Sequence, residues 1–484
     1  MAIAHDPEAL LLVLNVGLVW VTILCYLRST ILRNAEGTDS PSLAWASTFT
    51  LLLLMDFRYV AWSTIALMET ALWGTVLAIA TILTVEDDVR GFKHSAILAA
   101  LMCVMVMTRP EALAWGPAFL TLVYLKQVST QGPRQARWSV VPGVLVFIVT
   151  AALLTVFRVS YFGMPLPNTY YAKVAPSLLF RLSEGAKYLW GYISSGPVPF
   201  ACTVAVALSI VRVFSVRFRD RKTLALVALG FTALIVPVLT GGDHFDGFRF
   251  YQPVSPILLL ALLNWCRFIL PGYFSTARPR GVAHAVRLIT ITASLAVVIT
   301  IGIADWVQYN VSWLRNEFDI AAIGRQRGSD AAWIFDEIRP LPDVATIAVG
   351  GFKYAYAGEV VDLMGLNNTT VARNGGNRVG LRSHAAFETH TLYELKPTVI
   401  APLVQYSTDL QSAEQRRMFV DMVLKGVLEE ARFSASYRLA EVRKSTPHGT
   451  VAFAAWYDRE FLENLERRQG THSLQVVLLD VVTE

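Results

Sequence analysis

Apolar residues in this chain come in long runs separated by short polar breaks. The runs fall at about residues 9 to 27, 42 to 55, 62 to 85, 95 to 107, 112 to 125, 138 to 157, 198 to 215, 223 to 240, 250 to 268 and 286 to 306. A helix needs roughly 20 apolar residues to cross a bilayer core at about 1.5 Å per residue, so the pattern predicts a polytopic α-helical membrane protein of about ten spans. The runs 42 to 55, 95 to 107 and 112 to 125 fall short of that length and are expected to tilt little, thin the bilayer or dip in and return. Within residues 178 to 192, Leu178, Leu179, Leu182, Ala186, Leu189 and Trp190 alternate at helical spacing with Arg181, Glu184, Lys187 and Tyr188. That periodicity suits a helix lying in the membrane interface.

Beyond Trp306 the pattern turns to that of a soluble domain. Helices are expected over 319 to 337 and 411 to 430, and strands over 344 to 349 and 397 to 401. Two more strands are expected within 436 to 457, turning at Pro447-His448-Gly449. This alternation predicts two domains: a transmembrane helical domain over 1–306 and a C-terminal α/β domain over 307–484.

Composition agrees with the patterning, because a soluble chain of 484 residues would carry more than 16% charge beside 54% hydrophobic residues. Where the basic residues lie says more than the net charge of +5. Arg217, Arg219, Arg221 and Lys222 crowd one loop, Arg267, Arg278, Arg280 and Arg287 another, and Lys126, Arg134 and Arg137 a third. The positive-inside rule puts these loops in the cytoplasm. Counting outward, the breaks at 56 to 62, 108 to 111, 158 to 197 and 241 to 249 share the outer face with everything after Trp306. The N-terminus then starts outside with no signal peptide, either as a short tail translocated unaided or as the remainder of a chain with a further upstream span. Cys25, Cys103, Cys202 and Cys266 lie in or beside apolar runs and have neither disulfide nor metal spacing.

The outer breaks carry the candidate chemistry. Glu69 falls seven residues after Trp62, inside a predicted span, where a carboxylate costs about 2 to 3 kcal/mol at the helix centre and needs a partner. Arg109, in Thr108-Arg109-Pro110-Glu111, is the natural one, as a structural ion pair or as a guanidinium facing an anionic ligand. Pro165 and Pro167 stiffen the loop that presents Asn168, Tyr170, Tyr171 and Lys173, either as a binding loop or as an interfacial aromatic belt with a snorkelling lysine. The turn Thr240 to Arg249 gathers Asp243, His244, Asp246 and Arg249 among glycines that permit close backbone approach. Glu86-Asp87-Asp88 has the look of an acidic metal motif but lies on the cytoplasmic side, as a solvated loop. No metal site, nucleotide fold or serine nucleophile signature is present, and the sequence requires no cofactor.

Taken in order, Trp62-Ser63-Thr64 with Met68-Glu69-Thr70, Thr108 to Glu111, Pro165 to Lys173, Gly241-Gly242-Asp243 with Gly247 and Arg249, and Asp362 to Asn367 before Ala372-Arg373 resemble the bacterial GT-C arabinofuranosyltransferases. That group includes the terminal β-arabinofuranosyltransferase of the mycobacterial cell wall and pilin-modifying enzymes. The resemblance covers nearly the whole chain. It implies an enzyme of the bacterial plasma membrane, with its C-terminal domain outside the cytoplasm. The enzyme would move a sugar, arabinofuranose, from a polyprenyl-phosphate donor to a cell-envelope glycan or pilin-like protein acceptor, with no nucleic acid involved. Donor-binding residues would be Glu69, Arg109, Glu111, Asn168, Tyr170, Tyr171, Lys173 and Arg249, and a carboxylate would serve as general base.

GT-C enzymes carry that base in a first outer loop, and this chain is expected to begin after it, with Asp6-Pro7-Glu8 aligned just downstream. Asp243 and Asp246 are the substitutes, with Asp56 behind them, and divalent-cation dependence is left open. The shortened start also admits a catalytically impaired homologue that binds lipid-linked sugar or acceptor. A lipid-sugar transporter is the third alternative, though transporters gather ionisable residues at the midplane in paired repeats, which this sequence lacks.

Overall fold

A computed structural model describes residues 6–27, 42–85, 91–173, 177–215, 221–245, 247–266, 300, 303, 313–374, 386–401, 421–446, 449–468 and 474–479. The acidic stretch Glu86 to Asp88, Asp246, most of the basic loops at 217–222 and 267–287, nearly all of the run at 286–306 and most of the helix expected at 411–430 lie outside the described residues. The chain divides into two compact units, one of residues 1–165 with 177–310 and one of residues 166–176 with 311–484.

The first unit is helical. Helix α1 (Pro7–Tyr26) starts where Asp6 accepts from the N–H groups of Glu8 and Ala9 at 2.9 and 3.3 Å, with Pro7 in the first turn. Its inward stripe contains Asn15 and Thr22, while Leu10, Leu12, Val13, Leu14 and Leu24 are exposed. Thr22 shares a hydrogen bond of 3.0 Å with Thr75, and Asn15 donates to the Thr64 carbonyl at 3.4 Å. Polar groups pointing inward and leucines outward are the arrangement expected when the surrounding solvent is hydrocarbon.

Helix α7 (Pro133–Phe162) makes the same point at greater length. Its apolar window of 18 residues is only 11% buried, and the ring-bearing Trp138 and Tyr161 near its ends are 72% and 73% exposed. They are separated by a rise of about 34 Å, close to the thickness of a bilayer core with its aromatic belts. Gly132 at φ 83° and Gly163 at φ 75° bracket the helix in conformations that other residues rarely adopt.

Three helices, α1, α7 and α11 (Arg221–Leu239), are long and apolar enough to cross a membrane, and five spans result if each of two bent pairs counts as one. These figures hold for the described residues. Between α1 and α7 lie α2 (Ser42–Met55), α3 (Phe57–Val60), α4 (Thr70–Val85), α5 (Gly91–Thr108) and α6 (Ala112–Gln131). Two runs that read as short in the sequence are helices of 18 and 20 residues, α5 and α6, because Lys93 and His94 in one and Lys126 and Gln127 in the other continue the helix beyond its apolar part.

The run at 62 to 85 departs from expectation. Helix α3 passes into a wide π turn over Ala61–Ile65, Leu67 adopts a left-handed φ of 51°, and α4 starts only at Thr70, with a bend of 109°. Glu69 therefore lies in a break ahead of a helix and not inside a continuous span. Hydropathy could not reveal this, since neither glycine nor proline marks the break. The second bent pair, Leu178–Ser194 (α9) with Pro197–Val213 in α10 (Pro197–Ser215), turns by 114° at Ser195-Gly196. A Cβ at Gly185 would fall 2.1 Å from the Val238 carbonyl oxygen, so only glycine lets α9 cross α11 so closely. After α11 the chain turns through residues 240–251 into α12 (Ser255–Asn264).

The second unit is built on a mixed sheet in the order β2-β1-β3-β5-β4-β6. The strands are β1 (Val344–Thr346), β2 (Val360–Asp362), β3 (Val399–Ile400), β4 (Tyr437–Thr446), β5 (Gly449–Asp458) and β6 (Leu474–Leu478). Strands β2, β1 and β3 are parallel, and the remaining pairings are antiparallel. Alternation assigns a core to each face: Val344 and Val399 pack with Phe335, Phe352 and Phe453 on one side, Ala345 and Ile400 with Phe387 and Phe433 on the other.

Candidate functional site

The polar breaks of the helical unit converge. Arg109, in the turn between α5 and α6, is buried, and Glu111 grips one edge of its guanidinium. Nη2 donates to Glu111 Oε1 at 2.6 Å and Nε to Oε2 at 3.1 Å. Nη1 donates to Glu69 Oε1 at 2.8 Å. Burial by itself would lower the pKa of Arg109, but the carboxylates of Glu111 and Glu69 outweigh it and raise it, so the guanidinium stays charged. Glu111 is 11% exposed and Glu69 42%, so Glu69 is the carboxylate of this trio that meets solvent.

The turn before α12 supplies a second guanidinium. Arg249 Nη2 lies 2.5 Å from Asp243 Oδ2, and His244 Nδ1 lies 3.1 Å from Asp243 Oδ1. Asp243 has a side chain only 2% exposed, the position of a buried counter-ion. Phe250 lies between the two arginines, its ring centroid 5.1 Å from the Arg109 guanidinium and 5.3 Å from that of Arg249. Arg249 also stands 4.7 Å from Phe245 and 5.8 Å from Trp62. Arg109, Glu111, Thr240, Phe250, Trp73 and Trp115 line a cleft with room for about one water.

The other break joins at the same end of the bundle. Arg58 donates to Ser195 through Nη1 to Oγ at 2.5 Å and Nη2 to the carbonyl at 2.8 Å, tying the start of the first bent pair to the bend of the second. Tyr192 stacks on Tyr251 at 4.1 Å and Tyr188 on it at 5.5 Å. Asp56 is the N-cap of α3, its Oδ1 accepting from the N–H groups of Arg58 and Tyr59.

Among the described residues, the carboxylates of Glu69, Glu111 and Asp243 outnumber the guanidiniums of Arg109 and Arg249. Both guanidiniums are engaged by carboxylates. As arranged, the centre offers one solvent-facing carboxylate, Glu69, beside two charged guanidiniums. Among the described residues no group of three or more His, Cys, Asp and Glu could hold a metal ion.

From Leu166 on, the Pro165 to Lys173 motif belongs to the other unit. Its helix α8 (Asn168–Lys173) buries Ala172 in the sheet core, and Asn168 Nδ2 donates to the carbonyls of Gly365, Leu366 and Asn368 at 2.7, 3.2 and 3.2 Å. Asp362 shapes the receiving loop from within, Oδ1 accepting from Met364 N at 2.9 Å and Oδ2 from Asn367 N at 2.8 Å. Burial raises the pKa of Asp362, and these backbone N–H groups offset part of the rise. Arg373 lies 5.5 Å from the Tyr171 ring, which meets Tyr170 edge to face at 5.6 Å, and Lys173 closes the helix. Two motifs far apart in sequence are thus one latch. Asn168→Ala is expected to weaken this unit by about 1 to 3 kcal/mol, since the three carbonyls lose a shared donor. Faster limited proteolysis of the C-terminal unit would register it.

Of the residues singled out in the sequence, Glu69, Arg109, Glu111, Asp243 and Arg249 meet in the helical unit, whereas Asn168, Tyr170, Tyr171 and Lys173, expected with them as donor-binding residues, fall in the other unit, where Asn168 is taken up by the loop at Gly365 to Asn368. Sequence reading missed Phe245 and Phe250, although the alternation Phe248-Arg249-Phe250-Tyr251 already pairs a cation with rings. Comparison with protein-family models, with curated proteins and with solved structures gives no match.

Proposed function

We propose that this chain is a membrane glycosyltransferase that moves a sugar, arabinofuranose, from a polyprenyl-phosphate donor to a hydroxyl of a cell-envelope glycan or protein. In this reading the helical domain has about ten spans in the bacterial plasma membrane, and the C-terminal unit lies outside the cytoplasm, where it binds the acceptor. The observation that carries the proposal is the gathering of Glu69, Arg109, Glu111, Asp243 and Arg249 at one end of a helical unit whose outer surface is apolar. A donor with a lipid tail and a sugar-phosphate head needs that combination, and it needs no nucleotide fold. A transporter would instead concentrate such groups in a path through the membrane.

Glu69 is the base in this scheme. It accepts the proton of the acceptor hydroxyl as the hydroxyl oxygen bonds to the anomeric carbon. The bond from that carbon to the phosphate oxygen breaks, its electron pair leaves with polyprenyl phosphate, and the configuration inverts. Only Glu69 Oε1 is hydrogen-bonded among the described residues, which leaves Oε2 for the hydroxyl. Arg109, held at its other edge by Glu111, aims Glu69. Asp243, sealed against Arg249, orients that arginine and not the acceptor.

One observation favours binding without transfer: two of the three carboxylates are nearly sealed from solvent, at 2% and 11% exposure. Transfer of sugar from a polyprenyl-phosphate donor to a labelled acceptor separates the readings. Sidedness has its own test. Proteolysis of right-side-out vesicles is expected to release fragments of the C-terminal unit and to spare the loop from Arg217 to Lys222. The reverse pattern would overturn the topology.

A further inference from the structure

We infer that Arg249 is a positioning residue for Glu69: through the sulfur of Met68 it fixes the helix break that presents that carboxylate. The inference rests on the transferase reading for what Glu69 does, and it takes Arg249 out of the donor-binding set that the sequence resemblance implies.

Both ends of the Arg249 guanidinium are engaged inside the protein. Nη2 lies 2.5 Å from Asp243 Oδ2, and Nη1 donates to Met68 Sδ at 3.2 Å. The side chain is 11% exposed, and the rings of Phe245, Phe250 and Trp62 lie around the cation. Asp243 and the rings settle where the guanidinium points, and it points at the residue before Glu69.

The break needs such a hold. Leu67 sits at φ 51°, a left-handed conformation that is unfavourable for a leucine, and no glycine or proline sets it. The backbone ties the break at its two ends, where Ala66 N donates to the Ala61 carbonyl at 3.0 Å and Trp73 N to the Glu69 carbonyl at 2.9 Å. Side chains hold what lies between. Arg249 takes Met68 at 3.2 Å and Arg109 takes Glu69 at 2.8 Å. Two arginines, each locked by its own carboxylate, therefore grip consecutive residues, with Phe250 between them.

A thioether is a weak acceptor, so the contact with Met68 adds little to overall stability. What it supplies is direction. With Met68 held, the backbone of Glu69 keeps its place, and Arg109 has only the carboxylate to aim. Without it, Glu69 hangs by one oxygen from a strained segment, and small misplacements of a reacting group are costly to rate.

The test uses the full chain in nanodiscs. Modification of Glu69 by a carbodiimide with glycine ethyl ester, read by mass spectrometry, reports how firmly the carboxylate is held without requiring transfer. Steady-state transfer from polyprenyl-phosphoarabinofuranose to a labelled oligosaccharide gives kcat and KM. Met68→Leu keeps the volume and removes the acceptor, whereas Arg249→Lys keeps a charge against Asp243 and loses the second point of contact. Each is expected to quicken Glu69 modification and to lower kcat about ten- to a hundredfold at unchanged KM, with the unfolding temperature of Met68→Leu close to wild type. The double variant should be no worse than the worse single one, because the two residues act as one contact. Unchanged Glu69 modification in both single variants would overturn the inference. So would losses that add in the double variant, or a fall in kcat matched by a fall in the unfolding temperature of Met68→Leu, which marks packing and not aim. Faster modification in the variants with no transfer by wild type would sink the transferase reading and leave the tether standing. Transfer with both readouts indifferent to Met68 would do the opposite.

Discussion

Glu69→Gln is expected to lower sugar transfer on the order of a hundred- to ten-thousand-fold while leaving the protein folded and abundant. The separation of the two effects follows from exposure. At 42% exposed, Glu69 holds Arg109 through one contact of 2.8 Å, and ion pairs so open to solvent add little to stability. Glutamine keeps the shape and can still accept from Arg109, but it cannot take a proton. Asp243→Asn serves as the comparison. If Asp243→Asn abolished transfer in a folded protein and Glu69→Gln did not, the base would be Asp243, and the assignment made here would be wrong.

Arg109→Ala is expected to damage folding and activity together. It removes the partner of Glu111, which is nearly sealed from solvent, and breaking a pair of that kind costs about 3 to 5 kcal/mol because a charge is left buried and uncompensated. Lower abundance in membranes and a lower unfolding temperature in detergent are the readouts. Arg109→Lys should restore little, since an ammonium cannot serve the two-point grip of Glu111 and reach Glu69 as well. Transfer lost with stability intact would instead mean that Arg109 touches the donor directly.

Much of the architecture was legible because the bilayer imposes so simple a rule. Helices α1, α7 and α11 follow from runs of apolar residues, and β4 and β5 from a long period-two pattern around a glycine turn. What escaped was local geometry without a compositional marker. The break at 66–69 arises from a π turn and the left-handed Leu67, among residues that read as ordinary span. Strands β2 and β6 are short edge strands whose identity depends on their neighbours in the sheet. The pairing of Glu69 with Arg109 was legible, because an apolar segment must neutralise a carboxylate nearby. The role of Asn168 was not. Its side chain reads as a sugar-binding amide in the sequence, and only the fold reveals that it closes a loop almost 200 residues further along.

The same logic applies within the charged centre. Residues needed in fixed ionised states are buried against opposite charges, as Asp243 is by Arg249 and Glu111 by Arg109. In the proposed transfer the group that meets the acceptor keeps a free edge, as Glu69 does at the helix break.

The most direct measurement is transfer from synthetic polyprenyl-phosphoarabinofuranose to a labelled oligosaccharide or peptide acceptor, by wild type and Glu69→Gln at equal abundance in membranes. The expected result is a glycosylated product and free polyprenyl phosphate from wild type, with both reduced at least a hundredfold by Glu69→Gln. Equal product from the two proteins, or none from wild type with any polyprenyl-phosphate sugar offered, would contradict it.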